Sequence, residues 1–250
     1  IYYYELRAEN KFLPDLSKIP EDILHKTRYI LTSYPSNPCG AAAPKEMYVK
    51  LIEYAKKYNF YIVNDNAYSD IIFDGREGYS FLSIPGAKEV GIEFFSLSKS
   101  FDTTGARISF AIGNKKIIDA IKTIRSQYDF GMFLPIQYGA IAALTGETES
   151  VKAQCAEYQR RRDALCGGFR KIGWNVPDSE GTMFVWAPIP KNFVSSEEFW
   201  EALIDKTGIL CTPGNAFGPA GEGYVRFALV KPAEELAEIA RLVGESGLIG

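Results

Sequence analysis

Hydrophobic and polar positions change period several times along the chain, and the changes divide it. Runs at residues 28–35, 60–64, 93–97 and 107–113 are apolar through most of their length and lead into polar or glycine-containing segments, the pattern of buried strands. Between them the spacing turns helical: Met47, Leu51, Tyr54, Ala55 and Tyr58 share one face of a helix opened by Pro44 and ended by Asn59. A second helix carries Ile117, Ala120, Ile121 and Ile124. This alternation predicts βαβ units and a mostly parallel sheet. After Thr145-Gly146-Glu147-Thr148 the pattern changes to a long helix striped by Val151, Cys155, Tyr158, Leu165 and Phe169, then strands near 183–186, 209–211 and 224–228. Two helices interleave with those strands. Ser195 and Glu198 form a capping box ahead of Phe199, Ala202 and Leu203, with Gly208 just past the end, and Leu236, Ile239, Ala240 and Val243 form the last stripe. The expectation is an α/β domain over 1–148 and a smaller α+β domain over 149–250.

Polar clusters follow the strands' carboxyl ends at Asn37-Pro38-Cys39-Gly40, at Asp65-Asn66-Ala67-Tyr68 and at Ser98-Lys99. Ligands bind at that edge of open α/β sheets, so Asn37, Asp65, Tyr68 and Lys99 are expected in one crevice. The run from Ser96 to Arg107 suits pyridoxal phosphate: Lys99 can form a Schiff base with its aldehyde, while Ser96, Ser98 and Arg107 can hold a phosphate. Asp65 is placed to keep the pyridine nitrogen protonated. Tyr68 and Asn37 would serve the phenolic oxygen, leaving Lys99 free to act as a general base once substrate displaces it. Taken singly, each piece has an ordinary reading: a solvated lysine, a tight turn, a capping aspartate. The set, in this order, argues for chemistry.

Asn37-Pro38-x-Gly40, Asp65-x-x-Tyr68 and Ser96-x-Ser98-Lys99 with Arg107 resemble the class I/II aminotransferases, pyridoxal phosphate-dependent enzymes of fold type I. The resemblance continues through Thr212-Pro213-Gly214-Asn215-Ala216-Phe217-Gly218 to Gly223-Tyr224-Val225-Arg226-Phe227, and it implies that Arg226 clamps the substrate α-carboxylate, aided by Asn37. The stretches 9–16, 40–43, 84–90 and 213–226 look most like the LL-diaminopimelate aminotransferases and their bacterial relatives. Implied with the family are an amino acid and a 2-oxo acid as substrates, of LL-diaminopimelate or aspartate type, a homodimer with shared active sites, and a small domain that closes over substrate. A β-carbon–sulfur lyase on the same scaffold would use the same Lys, Asp, Tyr and Arg and stays open as an alternative, as does a non-catalytic remnant. Family members run to roughly 400 residues, enough for two domains. Against that length the front of the cofactor domain is expected to be absent here, with apolar faces and unpaired strand edges exposed as a result. Many relatives carry threonine or glycine where Cys39 stands, at a turn that depends on Asn37, Pro38 and Gly40.

Composition adds little that conflicts. Hydrophobic residues make up 46% of the chain and charged residues 24%, with a net charge of −3 and no long block of one sign, so nucleic-acid and membrane binding are not expected and a cytoplasmic enzyme is. Arg160-Arg161-Arg162 reads as a solvated helix face. Cys39, Cys155, Cys166 and Cys211 form no Cys-x-x-Cys pair, so reduced thiols are expected rather than a disulfide framework or a zinc site. His25, the sole histidine, lacks ligand-spaced partners and is assigned to the surface.

Overall fold

The structure, a computed structural model, describes residues 1–129 and 131–249. Its larger sheet runs in the order β1 (Tyr29–Ser33), β2 (Tyr61–Asp65), β3 (Gly91–Ser96), β4 (Ser109–Gly113). The first three strands are parallel and β4 is antiparallel to β3, so the sheet is mostly parallel, as the alternation predicted. Register pairs Ser33 with Asp65 and Asp65 with Phe94, which brings the carboxyl ends of β1, β2 and β3 to one edge.

Short-range signals explain the helices of this part. After α1 (Glu21–Lys26), α2 (Lys45–Tyr58) begins behind Pro44 and ends where Asn59 turns left-handed at φ 56°, its N–H closing on Ala55 O. The expected stripe is buried at Met47, Leu51, Ala55 and Tyr58, and it packs with Ile30, Ile62 and Phe81 in one core. His25 is exposed, lying edge-on to Tyr58. The short α3 (Ala87–Val90) feeds β3, and the single turn α4 (Leu97–Ser100) leaves it. Helices α5 (Lys115–Tyr128) and α6 (Leu134–Thr145) bury none of their residues. The stripe through Ile117 and Ile121 is only half-buried, against β3 and β4, while Leu134, Tyr138, Ile141 and Leu144 of α6 stay exposed, as do Tyr29 and Leu31 on the edge strand. Exposed apolar faces were expected, and these are where they lie.

The remainder builds a second core. Helix α7 (Glu149–Lys171) packs on α9 (Ala233–Glu245) so closely that a Cβ on Gly168 would stand 2.5 Å from Ala240 Cβ. Between them in sequence, β5 (Phe184–Pro188), β6 (Thr212–Pro213) and β7 (Tyr224–Ala228) form an antiparallel sheet in the order β5-β7-β6, with α8 (Ser196–Thr207) against it. The α8 caps match the capping-box reading: Ser195 Oγ accepts from Glu198 N–H at 3.1 Å, and Gly208 ends the helix at φ 70°. Two expectations need correction. The strand expected near 209–211 forms instead at Thr212–Pro213, because only there does the backbone come into register with Arg226 and Val225. The arginine triplet is not a solvated face throughout: Arg162 is 3% exposed, shares the inner side of α7 with Leu165 and Phe169, and forks onto Asp74 at 2.7 Å while donating to Ser179 O at 2.9 Å. The four cysteines are free; burial pushes the thiols of Cys166 and Cys211 up to about 12.

Candidate active site

Lys99 sits on α4, a turn of four residues that cannot hold itself together by helical hydrogen bonds alone. Side chains secure both its ends. Ser96 Oγ accepts from Ser98 N–H at 3.1 Å, Thr103 Oγ1 donates to Leu97 O at 2.9 Å, and Thr104 Oγ1 donates to Ser98 O at 3.1 Å. Ser100 Oγ donates to the Asp70 carboxylate, tying the lysine turn to the segment that carries Tyr68. Ser98 is buried and Lys99 half-buried, with no ion pair to Lys99 among the described residues. Arg107 departs from its expected place at the head of a strand. It lies before β4 with φ at 53°, exposed, its Nη1 donating to Thr104 O at 3.1 Å.

Asp65 is the last residue of β2, exposed, and its Oδ1 accepts from Ala67 N–H at 3.1 Å. Tyr68 follows on that turn and is buried edge-on against Phe184 at 6.0 Å. Burial raises its hydroxyl pKa; the nearby Arg226 charge opposes that shift and Asp65 adds to it. Arg226 reaches the same place from β7. Its Nη1 donates to Asn37 Oδ1 at 2.8 Å and its Nη2 to Thr212 Oγ1 at 3.4 Å. The guanidinium carbon lies 4.1 Å from the centre of the Phe184 ring and 4.7 Å from that of Phe217, a stack that holds the plane of the fork. Desolvation lowers the Arg226 pKa, and its Nε is buried with no partner.

Asn37 is held by the turn behind it. Gly40 takes φ 69°, and a Cβ there would stand 2.5 Å from Ser179 Cβ, so only glycine fits. Gly40 O accepts from Glu180 N–H at 2.9 Å and Gly181 N–H at 3.0 Å, which fastens the turn to the strand-entry segment of β5.

Asn37 and Arg226 thus meet directly, Tyr68 packs on the same Phe184 ring as Arg226, Asp65 stands three residues before Tyr68, and Lys99 with Ser96, Ser98 and Arg107 occupies the exit of the adjacent β3. No hydrogen bond joins Lys99 to Asn37, Asp65 or Tyr68 among the described residues. Sequence reading missed Ser100, Asp70, Thr103 and Thr104 as supports of the lysine turn, and Phe184 and Phe217 as walls of the arginine. The hydroxyl pair Thr103-Thr104 after a lysine turn is a local capping signal that was available; the aromatic walls come from distant segments and leave none. The donor set suits pyridoxal phosphate: an amine without an ion-pair partner, hydroxyls at a helix start, an exposed guanidinium, and a carboxylate at the strand edge. It lacks clustered metal ligands among the described residues.

An α/β sheet with a lysine turn at its carboxyl edge, and an arginine of a second sheet bonded to the Asn37 turn after β1, is the architecture of fold type I. The chain belongs to the class I and II aminotransferase family, whose model matches residues 1–243 and whose members depend on pyridoxal phosphate. It is 45% identical over 243 residues to an LL-diaminopimelate aminotransferase of Dehalococcoides mccartyi, covering 97% of this chain and 62% of that one. A second LL-diaminopimelate aminotransferase, from Halothermothrix orenii, is 46% identical over 233 residues, with coverage of 93% and 60%. Among solved structures, substrate-bound BacF from Bacillus subtilis superposes with a TM-score of 0.95 at 36% identity, covering 99% of this chain and 63% of that one. A probable N-succinyldiaminopimelate aminotransferase from Thermus thermophilus gives 0.91 at 32% identity, with coverage of 98% and 65%. The chain therefore spans about 62% of the length of the curated relatives it matches.

Proposed function

We propose that the chain works in a pyridoxal phosphate-dependent aminotransferase that moves an amino group from an amino acid to a 2-oxo acid, with substrates of LL-diaminopimelate or aspartate type. The observation that carries this reading is the 2.8 Å bond from Arg226 to Asn37, above the strand edge that bears Asp65 and Tyr68. Arg226 binds the α-carboxylate through its fork, and its unpartnered Nε is a donor still to be used. Phe184 and Phe217 exclude water from one carboxylate-guanidinium pair, which strengthens it. Tyr68, its pKa raised, keeps its proton at neutral pH and donates to the cofactor's phenolic oxygen alongside Asn37. Asp65 holds a proton on the pyridine nitrogen, while Ser96, Ser98 and Arg107 hold the phosphate. Lys99 would hold the cofactor through its aldehyde carbon, and its Nζ would serve as the general base toward the substrate's α-proton. When bound, the cofactor supplies the electron sink that makes that proton removable.

Residues 1–148 are assigned to the cofactor domain and 149–250 to the small domain, supported by their separate cores. A cytoplasmic homodimer, as the family resemblance implies, completes the proposal; the four cysteines are free, and no helix among the described residues is long and apolar enough to cross a membrane. The test is to incubate purified protein with pyridoxal phosphate, single amino acids and 2-oxoglutarate. Formation of glutamate with the matching 2-oxo acid supports transamination. Release of pyruvate and ammonia from cystathionine without an acceptor would replace it with the β-carbon–sulfur lyase.

A further inference from the structure

Glu93 is the most deeply buried carboxylate in the described chain, at 0% exposure, and no Lys or Arg pairs with it among the described residues. It lies at the middle of β3, opposite Asn64 of β2. Burying an unpaired carboxylate is costly unless hydrogen-bond donors surround it. They do. One oxygen accepts from Asn64 Nδ2 at 2.8 Å, Asn66 Nδ2 at 3.0 Å and Phe81 N–H at 3.0 Å; the other accepts from Ser80 Oγ and, at 3.4 Å, from Leu82 N–H. Thr32 Oγ1 donates to Asn64 Oδ1 at 2.7 Å, which fixes that amide's orientation with its NH2 toward Glu93.

The two amides held by one oxygen belong to the residues on either side of Asp65. Because side chains alternate across a strand, Asn64 and Asn66 turn inward to Glu93 while Asp65 emerges on the other side, exposed at the edge. We propose that Glu93 is a positioning residue for Asp65: its carboxylate grips both neighbours and thereby fixes the rotation of the strand end from which Asp65 reaches the pyridine nitrogen. The inference deepens the aminotransferase reading and rests on it for the purpose of that grip. The grip itself is a property of this chain. An apolar residue at 93 would take the acceptor from Asn66, leave Asn64 Nδ2 only Tyr48 Oη at 3.4 Å, and leave the end of β2 to its backbone bonds, Tyr34 N–H to Asp65 O and Asn66 N–H to Phe94 O. The Asp65 Oδ1 bond to Ala67 N–H would then open first.

The experiment compares wild type, Glu93→Gln and Glu93→Ala by native-state hydrogen exchange and by pyridoxal phosphate titration. In Glu93→Ala the Ala67 amide should lose protection at least ~10-fold beyond the loss seen at Ile62 and Val63 of the same strand. Glu93→Gln, which keeps one accepting oxygen, should fall between the two. Cofactor affinity, followed by absorbance, should weaken in the same order while covalent attachment at Lys99 is retained. Ala67 protection that falls only in step with Ile62 and Val63 would overturn the proposal, because Glu93 would then supply stability alone. Should Glu93→Ala not fold, Asn66→Ala removes one arm of the grip and is read by the same exchange. Failure of wild type to bind the cofactor would count against the aminotransferase reading, and the exchange pattern would still decide the role of Glu93.

Discussion

Arg226 Nη1 donates to Asn37 Oδ1 across 189 positions of sequence, joining the first turn of the large sheet to the central strand of the small one. The bond is made by a guanidinium stacked between two rings, so its direction is set before any ligand arrives. Replacing Arg226 with lysine keeps the charge and removes both the fork and the stack. Hydrogen bonds to charged groups contribute about 1.5–3 kcal/mol, so Arg226→Lys should weaken 2-oxo acid binding about 10- to 150-fold. Calorimetric titration of the cofactor-loaded protein checks this, and an unchanged affinity would remove Arg226 as the clamp.

Lys99 has the one amine assigned to covalent attachment. Borohydride reduction of protein incubated with pyridoxal phosphate should place the cofactor's mass on the peptide containing Lys99, and Lys99→Ala should lose both that label and turnover. A label found on another lysine, with activity kept in Lys99→Ala, would refute the assignment.

Asp74 and Arg162 connect the segment after Tyr68 to the long helix α7. Hydrogen bonding from Arg162 lowers the Asp74 pKa below its ordinary value of 3.8. A carboxylate whose pKa is lower in the folded state stabilises the fold above the unfolded pKa, and that contribution is lost as pH falls through the folded one. Asp74 is 41% exposed at its side chain, so solvent screens the pair and its contribution is discounted accordingly. Asp74→Asn should therefore lower the urea midpoint at pH 7, and the gap to wild type should close as pH drops below the folded pKa. A gap that stays constant down to pH 2 would show that packing, not charge, is responsible.

At Gly40 the left-handed backbone and the contact with Ser179 act together. Gly40→Ala should cost about 2–4 kcal/mol, combining roughly 1 kcal/mol for the backbone with roughly 1–3 for overpacking. Denaturant unfolding measures the loss. Ligand binding at Arg226 should suffer as well, since Asn37 rides on the same turn.

What could be read from sequence follows how local the cause is. Pro44, Asn59, Ser195 and Gly208 act within a turn of their own positions, and each stands where it was expected. The placement of Asp65, Tyr68 and Lys99 after strand ends was legible because parallel strands bring their carboxyl ends to one edge whatever their separation in sequence. Arg162 was misread from composition, although its spacing of three and seven residues from Leu165 and Phe169 placed it on the buried side of α7. Glu93 carried no local signal at all. Its burial depends on donors supplied by β2 and by the segment at 80–82, and no pattern within β3 reveals them.

Helices α5 and α6 bear on how the chain responds to heat. Much of their apolar surface, at Ile124, Leu134, Tyr138, Ile141 and Leu144, is already hydrated in the folded state, so melting them transfers less new apolar surface to water than melting packed helices would. The heat-capacity change on unfolding should then fall below the ~12–15 cal/mol/K per residue common to globular domains, flattening the stability curve. Calorimetry should also record an early, weakly endothermic step for this segment ahead of the two packed cores. A partner surface that covered α6 would merge the steps into one, which makes the sharpness of the transition a direct reporter of whether those helices have found their cover.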